Sequence, residues 1–257
     1  MCSYEHVESA ERYDLIASAL RERDRVEVAE LAELTGCSEM TIRRDLDVLE
    51  RDGLLRRVRG GAVSTLSGEG APYGVRARQQ VEVKQRIGKV AAELLDDGES
   101  VVIDAGTTTL EVARVLVGRR LTVLPLSLHA ANVLAEGSGM RLVMPGGEVS
   151  PRELAFYGQL TRGAFDRMRF DTVVLGVCGL TVADGVSSFD LCDAETKQAA
   201  IRASARVIAV TDSAKLGRVA FGRVCPITDL DVLVTDRDAP ADQLDRFREA
   251  GVEVHLA

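Results

Sequence analysis

"SEMTIRRDLDVLERDG" (residues 38–53) carries an apolar rhythm, a paired arginine and a hydroxyl at its start. At about 100° per residue, Ile42, Leu46 and Leu49 fall on one face, which must be buried. Met40, Arg44, Asp47 and Arg51 fall roughly opposite, and Arg43 lies on the flank. Ser38 offers an N-cap hydroxyl and Gly53 a stop, so the spacing predicts a helix from about Glu39 to Arg51. Two readings follow. The polar face is solvated, with Arg43 paired to Glu39 or Asp47, and Asp47 to Arg51, at i, i+4 spacing. Alternatively it enters a DNA major groove, which accepts an α-helix and where arginine bonds guanine O6 and N7 together.

The flanking sequence favours the groove. Upstream, ERYDLIASALRER (11–23) repeats Tyr13, Ile16, Ala17 and Leu20 at helical spacing. VEVAELAELTG (26–36) then puts Val28, Leu31, Ala32 and Leu34 on a second, shorter helix, ended by Gly36 in a left-handed position. Gly36 and Ser38 in the intervening turn match helix-turn-helix spacing, which lets the next helix project its N-terminal half outward. Downstream, GLLRRVRGGAV (53–63) interleaves Leu55 and Val58 with Arg56, Arg57 and Arg59, and Gly60-Gly61 supplies a tight turn. That is a small basic hairpin able to follow a phosphate backbone. The candidate DNA-binding residues are therefore Ser38, Met40, Thr41, Arg43, Arg44, Asp47, Arg51, Arg56, Arg57 and Arg59.

The totals limit the rest. With 257 residues there is room for two unequal domains. The formal net charge of -8 excludes a uniformly basic nucleic-acid binder but not a basic patch on an acidic body. No stretch approaches the roughly 20 apolar residues of a membrane span, and the acidic N-terminus lacks the apolar run of a signal peptide. Cys2, Cys37, Cys178, Cys192 and Cys225 are odd in number with no C-x-x-C, and the only histidines are His6, His129 and His255. A disulfide framework, a structural zinc site and a bound cofactor are not expected, and the location expected is a reducing cytoplasm.

A linker signal, STLSGEGAP, occupies 64–72. Beyond it, short apolar runs alternate with helical stretches: SVVIDAG (100–106), LTVLPLS (121–127), MRLVMPGG (140–147), DTVVLGVCGL (171–180), RVIAVTDS (206–213), DVLVTD (231–236) and VEVHLA (252–257). Runs that are apolar throughout indicate a mostly parallel sheet covered on both faces. The expected fold is an α/β chain: a winged helix-turn-helix over 1–66, a linker over 67–80, and a larger Rossmann-like domain over 81–257.

Polar clusters sit just past several of these strands, where ligands of open α/β sheets bind. IDAGTTTLEVA (103–113) joins a strand to a helix through Asp104, Gly106, Thr107 and Thr108, a place that favours an anion; the alternative is that Thr107 or Thr108 simply caps the helix. A P-loop pattern is missing. Gly146 and Gly147 break the chain after a strand, Asp193, Glu195 and Lys197 enter a helix, and Asp212, Ser213 and Lys215 follow another strand.

Arg12, Ile16 and Leu20, then Ser38 and Thr41-Ile42-Arg43-Arg44-Asp45-Leu46, resemble the signature of the DeoR family of bacterial transcriptional regulators. Leu55-Arg56-Arg57-Val58-Arg59-Gly60-Gly61-Ala62 resembles that family's wing. The D-x-G-T-T segment, Gly146-Gly147, Asp193-Ala194-Glu195-x-Lys197 and Asp212-Ser213-x-Lys215 resemble its C-terminal domain, related in fold to ribose-5-phosphate isomerase and coenzyme A transferases. The resemblance implies a homodimer or homotetramer that binds a double-stranded operator, more often as a repressor. It also implies a phosphorylated sugar or related effector held by Asp104, Gly106, Thr107, Thr108, Ser127, Gly146, Gly147, Glu195, Lys197, Asp212 and Lys215. One departure stands out: Pro125-Leu126-Ser127 replaces the family's usual Thr-Asn-Ser. Two competing readings remain: an isomerase or transferase using Glu195, Lys197 and Asp212, and an oligomerising scaffold with a vestigial pocket.

Overall fold

The computed structural model describes residues 12–13, 15–16, 19–20, 25–51, 55–64 and 73–257, apart from the side chains of Arg56, Val63 and Ser64. Gly53 as a helix stop, Ala17, and residues 65–72 of the linker fall outside the described residues. The chain forms two compact units that part between Val75 and Arg76.

In the N-terminal unit, the described residues between 12 and 20 are helical. Strand β1 (Arg25–Glu27) leads into helix α1 (Val28–Thr35), and α2 (Glu39–Arg51) follows. Strands β2 (Leu55–Val58) and β3 (Gly61–Ser64) form an antiparallel hairpin, and β1 adds to the far side of β3. Ile16, Leu20, Val26, Val28, Leu31, Ile42, Leu46, Leu49, Leu55 and Ala62 make the core. Full burial of each large aliphatic side chain contributes about 1.5–3 kcal/mol, which lets so small a unit hold together.

The stretch 26–36 holds both a strand end and the second helix. Val26 belongs to a strand, not to the second helix. Val28, Leu31, Ala32 and Leu34 all lie on α1 as the spacing predicts; Val28 and Leu31 are buried, Leu34 is 54% exposed, and Thr35 is buried with its hydroxyl donating to the Leu31 carbonyl. The helix starts at a Glu27–Glu30 capping box.

The C-terminal unit is built on a seven-stranded parallel sheet. Its strands are β4 (Ser100–Ile103), β5 (Thr122–Pro125), β6 (Arg141–Leu142), β9 (Phe170–Gly176), β12 (Ser204–Val210), β14 (Val232–Thr235) and β15 (Glu253–Leu256). Side chains alternate between two cores, as the two-residue period of a strand requires. Val101, Ile103, Val174, Ile208, Val210 and Val234 face one core, and Val102, Val173, Leu175, Ala209 and Leu233 the other. Burial on both faces is why these runs are apolar throughout.

The sheet order is β15-β14-β12-β9-β4-β5-β6. The chain runs outward from β4 through β5 to β6, then returns to pair β9 with the other edge of β4. The winding direction therefore reverses between β4 and β9, and in such folds the crevice at the carboxyl ends of those strands is the ligand position.

Helices α3 (Tyr73–Arg78), α4 (Val81–Glu93), α5 (Thr107–Leu116), α6 (Leu128–Leu134), α7 (Gln159–Phe165), α8 (Leu191–Arg202) and α9 (Ala241–Glu249) complete the chain. Of these, α3 falls within the stretch 67–80 read as linker. A hairpin of β7 (Glu148–Val149) and β8 (Phe156–Tyr157) stands outside the main sheet. So does an antiparallel sheet of β10 (Gly179–Thr181), β11 (Gly185–Ser188) and β13 (Gly222–Cys225).

Candidate nucleic-acid interface and effector site

In the N-terminal unit the turn before α2 is made as its residues demand. Gly36 takes φ 67°, a left-handed conformation that suits glycine. The Ser38 hydroxyl accepts the Thr41 N–H at 3.2 Å and bonds the Thr41 hydroxyl at 2.9 Å, which caps α2. Ile42, Leu46 and Leu49 are buried, and so is Asp45. Arg12 grips Asp45 with two nitrogens, at 2.9 and 3.2 Å. The third residue of the Arg43-Arg44-Asp45 run thus turns inward; three residues after Ile42 and four before Leu49, it falls on the apolar side of the helix, and the fold supplies Arg12 as its partner.

On the outer face, Met40 is 61% exposed, and Arg44 is exposed with no salt bridge to any other described residue. Arg43 is drawn back to Glu39 at 2.8 Å, the first of the two pairings that its spacing allowed. Asp47 bonds Arg57 of the hairpin at 2.6 Å, while Arg51 Nε donates to the Asp47 carbonyl at 3.2 Å. Arg59 is exposed at the hairpin tip, beside Gly60 at φ 87°. Gly61 has a different task from Gly60. It lies in β3, where a Cβ would come within 2.0 Å of the Val26 carbonyl oxygen, so its lack of a side chain lets β1 pair. The Arg56 side chain lies outside the described residues.

In the C-terminal unit the switch point is occupied by a buried ion pair. Asp104, just past β4, accepts the Gly176 N–H from the end of β9 at 2.8 Å and the ammonium of Lys197 from α8. Lys197 also lies 3.4 Å from Asp193, which accepts the Ser188 hydroxyl at 2.6 Å. Burial pushes the Asp104 carboxyl up to about 6, against the opposing pull of Lys197 and the Gly176 N–H. Burial works against the charge of Lys197 too, but Asp104 and Asp193 hold its ammonium above the ordinary lysine range. At neutral pH both partners are charged, and the pair ties β4, β9 and α8 together.

Next to the pair stands the start of α5. Its N-cap is Gly106, which has no side chain to cap the helix. Thr107 and Thr108 are buried in the first turn and neither is the cap; only Thr109 bonds back, to the Gly106 carbonyl at 3.1 Å. Lys84, on α4, went unnoticed in the sequence, where it is one lysine in an amphipathic run. It is buried and donates to the carbonyls of Arg76 and, at 2.6 Å, Gln79. Burial and the charge of Lys215 lower its pKa to about 8, with Asp212 acting the other way. The interaction brings Lys84, Asp212 and Lys215 into one electrostatic cluster. Lys215 reaches the Val177 carbonyl at 3.4 Å, just beyond β9.

Other predicted residues are positioned differently. Ser127 is buried and caps α6, accepting the Ala130 N–H at 3.2 Å. Leu126, at the departure from the family pattern, packs into the apolar core, leaving no polar group there. Gly146 and Gly147 have φ 74° and 100°, and a Cβ on Gly147 would meet the Thr161 hydroxyl oxygen at 2.3 Å. Thr161 donates to the Gly146 and Tyr157 carbonyls, so the glycine pair seats the chain against α7. Glu195 is two residues from Lys197, hence across the helix, and its exposed carboxylate pairs with Arg162. The structure does not bring Glu195 to Lys197.

Among the described residues, no group of three metal-ligating side chains is assembled and no helix is long and apolar enough to cross a membrane. Cys37, Cys178, Cys192 and Cys225 are free thiols, and burial pushes that of Cys225 up to about 11.

Comparison with known proteins matches both units to known domain families. Residues 12–67 match the DeoR-like helix-turn-helix domain, and residues 79–237 match the DeoR C terminal sensor domain. The chain is 35% identical to the HTH-type transcriptional regulator GlpR of Haloferax volcanii, over 95% of this chain and 96% of that one. It is 30% identical to the glycerol-3-phosphate regulon repressor of Escherichia coli, over 97% and 100%, and 31% identical to the HTH-type transcriptional repressor GlcR of Bacillus subtilis, over 92% and 93%. Among solved structures it is similar to ribose 5-phosphate isomerase A of Methanocaldococcus jannaschii, at 16% identity and TM-score 0.40 over 54% of this chain and 55% of that one, a likeness too distant to bear on chemistry. These three relatives, matched over nearly their whole length, are transcriptional regulators, which sets aside the isomerase and transferase reading. A helix-turn-helix unit followed by a sensor unit, each matched by its own family model, places this chain in the DeoR family of transcriptional regulators.

Proposed function

We propose that this protein is a cytoplasmic repressor of a carbohydrate-metabolism operon, controlled by a phosphorylated sugar or related metabolite. In this reading residues 1–66 bind the operator, 67–80 link, and 81–257 hold the effector and assemble the homodimer or homotetramer. Helix α2 offers Met40, Thr41, Arg44 and Arg51 to base edges and nearby phosphates, and Arg56 and Arg59 of the hairpin follow the backbone. Two half-sites require at least two copies of the helix.

The observation that carries the effector assignment is the start of α5. A helix N-terminus without a side-chain cap, at the switch point of a parallel sheet, presents free N–H groups to an anion. Thr107 and Thr108 supply hydroxyls, and Lys215 and Lys84 supply positive charge. Asp104 and Lys197 satisfy one another and shape the floor, and Asp212 stands ready for the sugar hydroxyls. Control requires the effector to bind one arrangement of the oligomer more tightly than another. The relatives named for glycerol-3-phosphate support a phosphorylated ligand of this kind.

The test is fluorescence anisotropy of the purified protein on DNA from upstream of its own gene and its neighbours, at fixed salt, because affinity depends on salt. A panel of sugar phosphates is titrated in. The expected result is specific binding that one phosphorylated compound releases or strengthens, and that Lys215→Ala renders unresponsive while the DNA affinity stays. Binding that no phosphorylated compound alters overturns the effector assignment. No preference over random DNA overturns the operator assignment.

A further inference from the structure

Asp47 and Glu50 are a puzzle on a helix meant to lie against a polyanion. The geometry points to an answer: Arg57, Asp47 and Glu50 form a latch that fixes the hairpin on α2, and Arg57 and Asp47 are positioning residues rather than DNA contacts. This inference rests on the DNA-binding reading of the N-terminal unit.

A single hairpin residue makes three bonds to α2. The Arg57 guanidinium donates to the Asp47 carboxylate at 2.6 Å and to the Arg43 carbonyl at 2.9 Å, and the Arg57 backbone N–H donates to the Glu50 carboxylate at 2.7 Å. Positions 43, 47 and 50 are spaced i, i+4, i+7, so they form one stripe along the helix, and strand β2 lies over it. The period of a strand explains the direction. Leu55 points into the core, and Arg57, two residues on, shares its face. The Arg57 side chain is only 25% exposed. It neutralises Asp47, which would otherwise repel the phosphates. Arg43 lends its carbonyl to the latch while its guanidinium is drawn to Glu39. Of the hairpin arginines whose side chains are described, Arg59 is exposed at the tip and Arg57 faces the helix. The latch sets the angle between groove-entering helix and backbone-following hairpin, and a shift of that angle misplaces both at once.

The experiment measures DNA affinity against salt concentration for the full-length protein, on a random-sequence duplex and on the duplex from upstream of its gene. Arg57→Ala, Arg57→Lys, Asp47→Ala, the Asp47→Ala/Arg57→Ala double variant and Arg59→Ala are compared. A phosphate contact contributes about 0.9 to the slope of log affinity against log salt. The latch predicts that Arg59→Ala lowers the slope by about 1 and that Arg57→Ala leaves it unchanged. It predicts that both single latch variants weaken binding several-fold, and that the double variant weakens it no further. Arg57→Lys, which keeps the charge but loses the fork, behaves as Arg57→Ala. A slope that falls with Arg57→Ala, rescue by Arg57→Lys, or additive losses in the double variant each overturn the latch. If the parent protein binds neither duplex, the DNA reading fails instead. The latch then stands or falls on urea unfolding, where non-additive destabilisation of the same cycle supports it and additive destabilisation overturns it.

Discussion

Two neighbouring residues of α2 do opposite work. Asp45 is buried against Arg12, and removal of one partner of a buried pair leaves the other charge uncompensated. Asp45→Ala is expected to destabilise the N-terminal unit by about 3 kcal/mol, read as a lower urea midpoint, with the C-terminal transition unmoved. An unchanged midpoint would show that the pair contributes nothing in solution. Arg44, one position earlier, is exposed and free of any salt bridge among the described residues. Arg44→Ala should leave stability alone, cost about 1–3 kcal/mol of operator affinity and relax preference at one base pair. Equal affinity for the operator and for single-base variants of it, before and after the change, would remove Arg44 from the reading set.

At the scale of elements, close approach decides which residues are interchangeable. A Cβ at Gly61 has nowhere to go between β3 and β1, because the Val26 carbonyl oxygen would sit 2.0 Å away. Gly61→Ala is expected to cost about 1–3 kcal/mol through forced backbone displacement. Gly60→Ala carries a different penalty, since Gly60 has open space around it and only its φ of 87° disfavours a side chain. Thermal melts of the two variants separate the causes. Pairing of β1 with β3, followed by hydrogen–deuterium exchange, should be lost in Gly61→Ala and kept in Gly60→Ala. The Gly-Gly pair was legible as a turn, but only the third strand explains its second member. Likewise, the rhythm of α2 was readable because its apolar face meets a single core. The start of α1 was less legible, because the cap that sets it lies in Glu27 and Glu30, two residues unremarkable on their own.

For the sensor unit as a whole, buried charge links stability to pH. Lys84 titrates near 8 in the folded protein against an ordinary value of 10.5. Its depressed pKa means that below about 8 the lysine is protonated in both states and the full penalty of burying its charge is present. As pH rises from about 8 to 10.5 the unfolded chain binds more protons at this position, so stability due to Lys84 increases. Asp104 has the opposite window. Its folded pKa of about 6 exceeds the ordinary 3.8, so its contribution falls as pH rises from about 4 to 6. The difference in melting temperature between the parent protein and Lys84→Met should therefore shift in favour of the parent between pH 8 and 10. A flat difference across that range would mean that Lys84 is not buried with its charge.

What the sequence determined by itself was whatever depends on period and local chemistry. The amphipathic face of α2, the Ser38 cap, the basic hairpin and the strand runs apolar on both faces all follow from neighbours along the chain. So does the division into a helical N-terminal part and an α/β remainder. The tertiary structure alone decided which charges meet. Asp104 and Lys197 are 93 residues apart, Arg12 and Asp45 are 33, and neither separation has a periodic signature. The same holds for Lys84, whose burial depends on helix α4 lying over carbonyls at the end of α3. A strand or helix repeats its own geometry and so can be read locally. An ion pair across the sheet depends on strand order, and no pattern within either segment encodes that order.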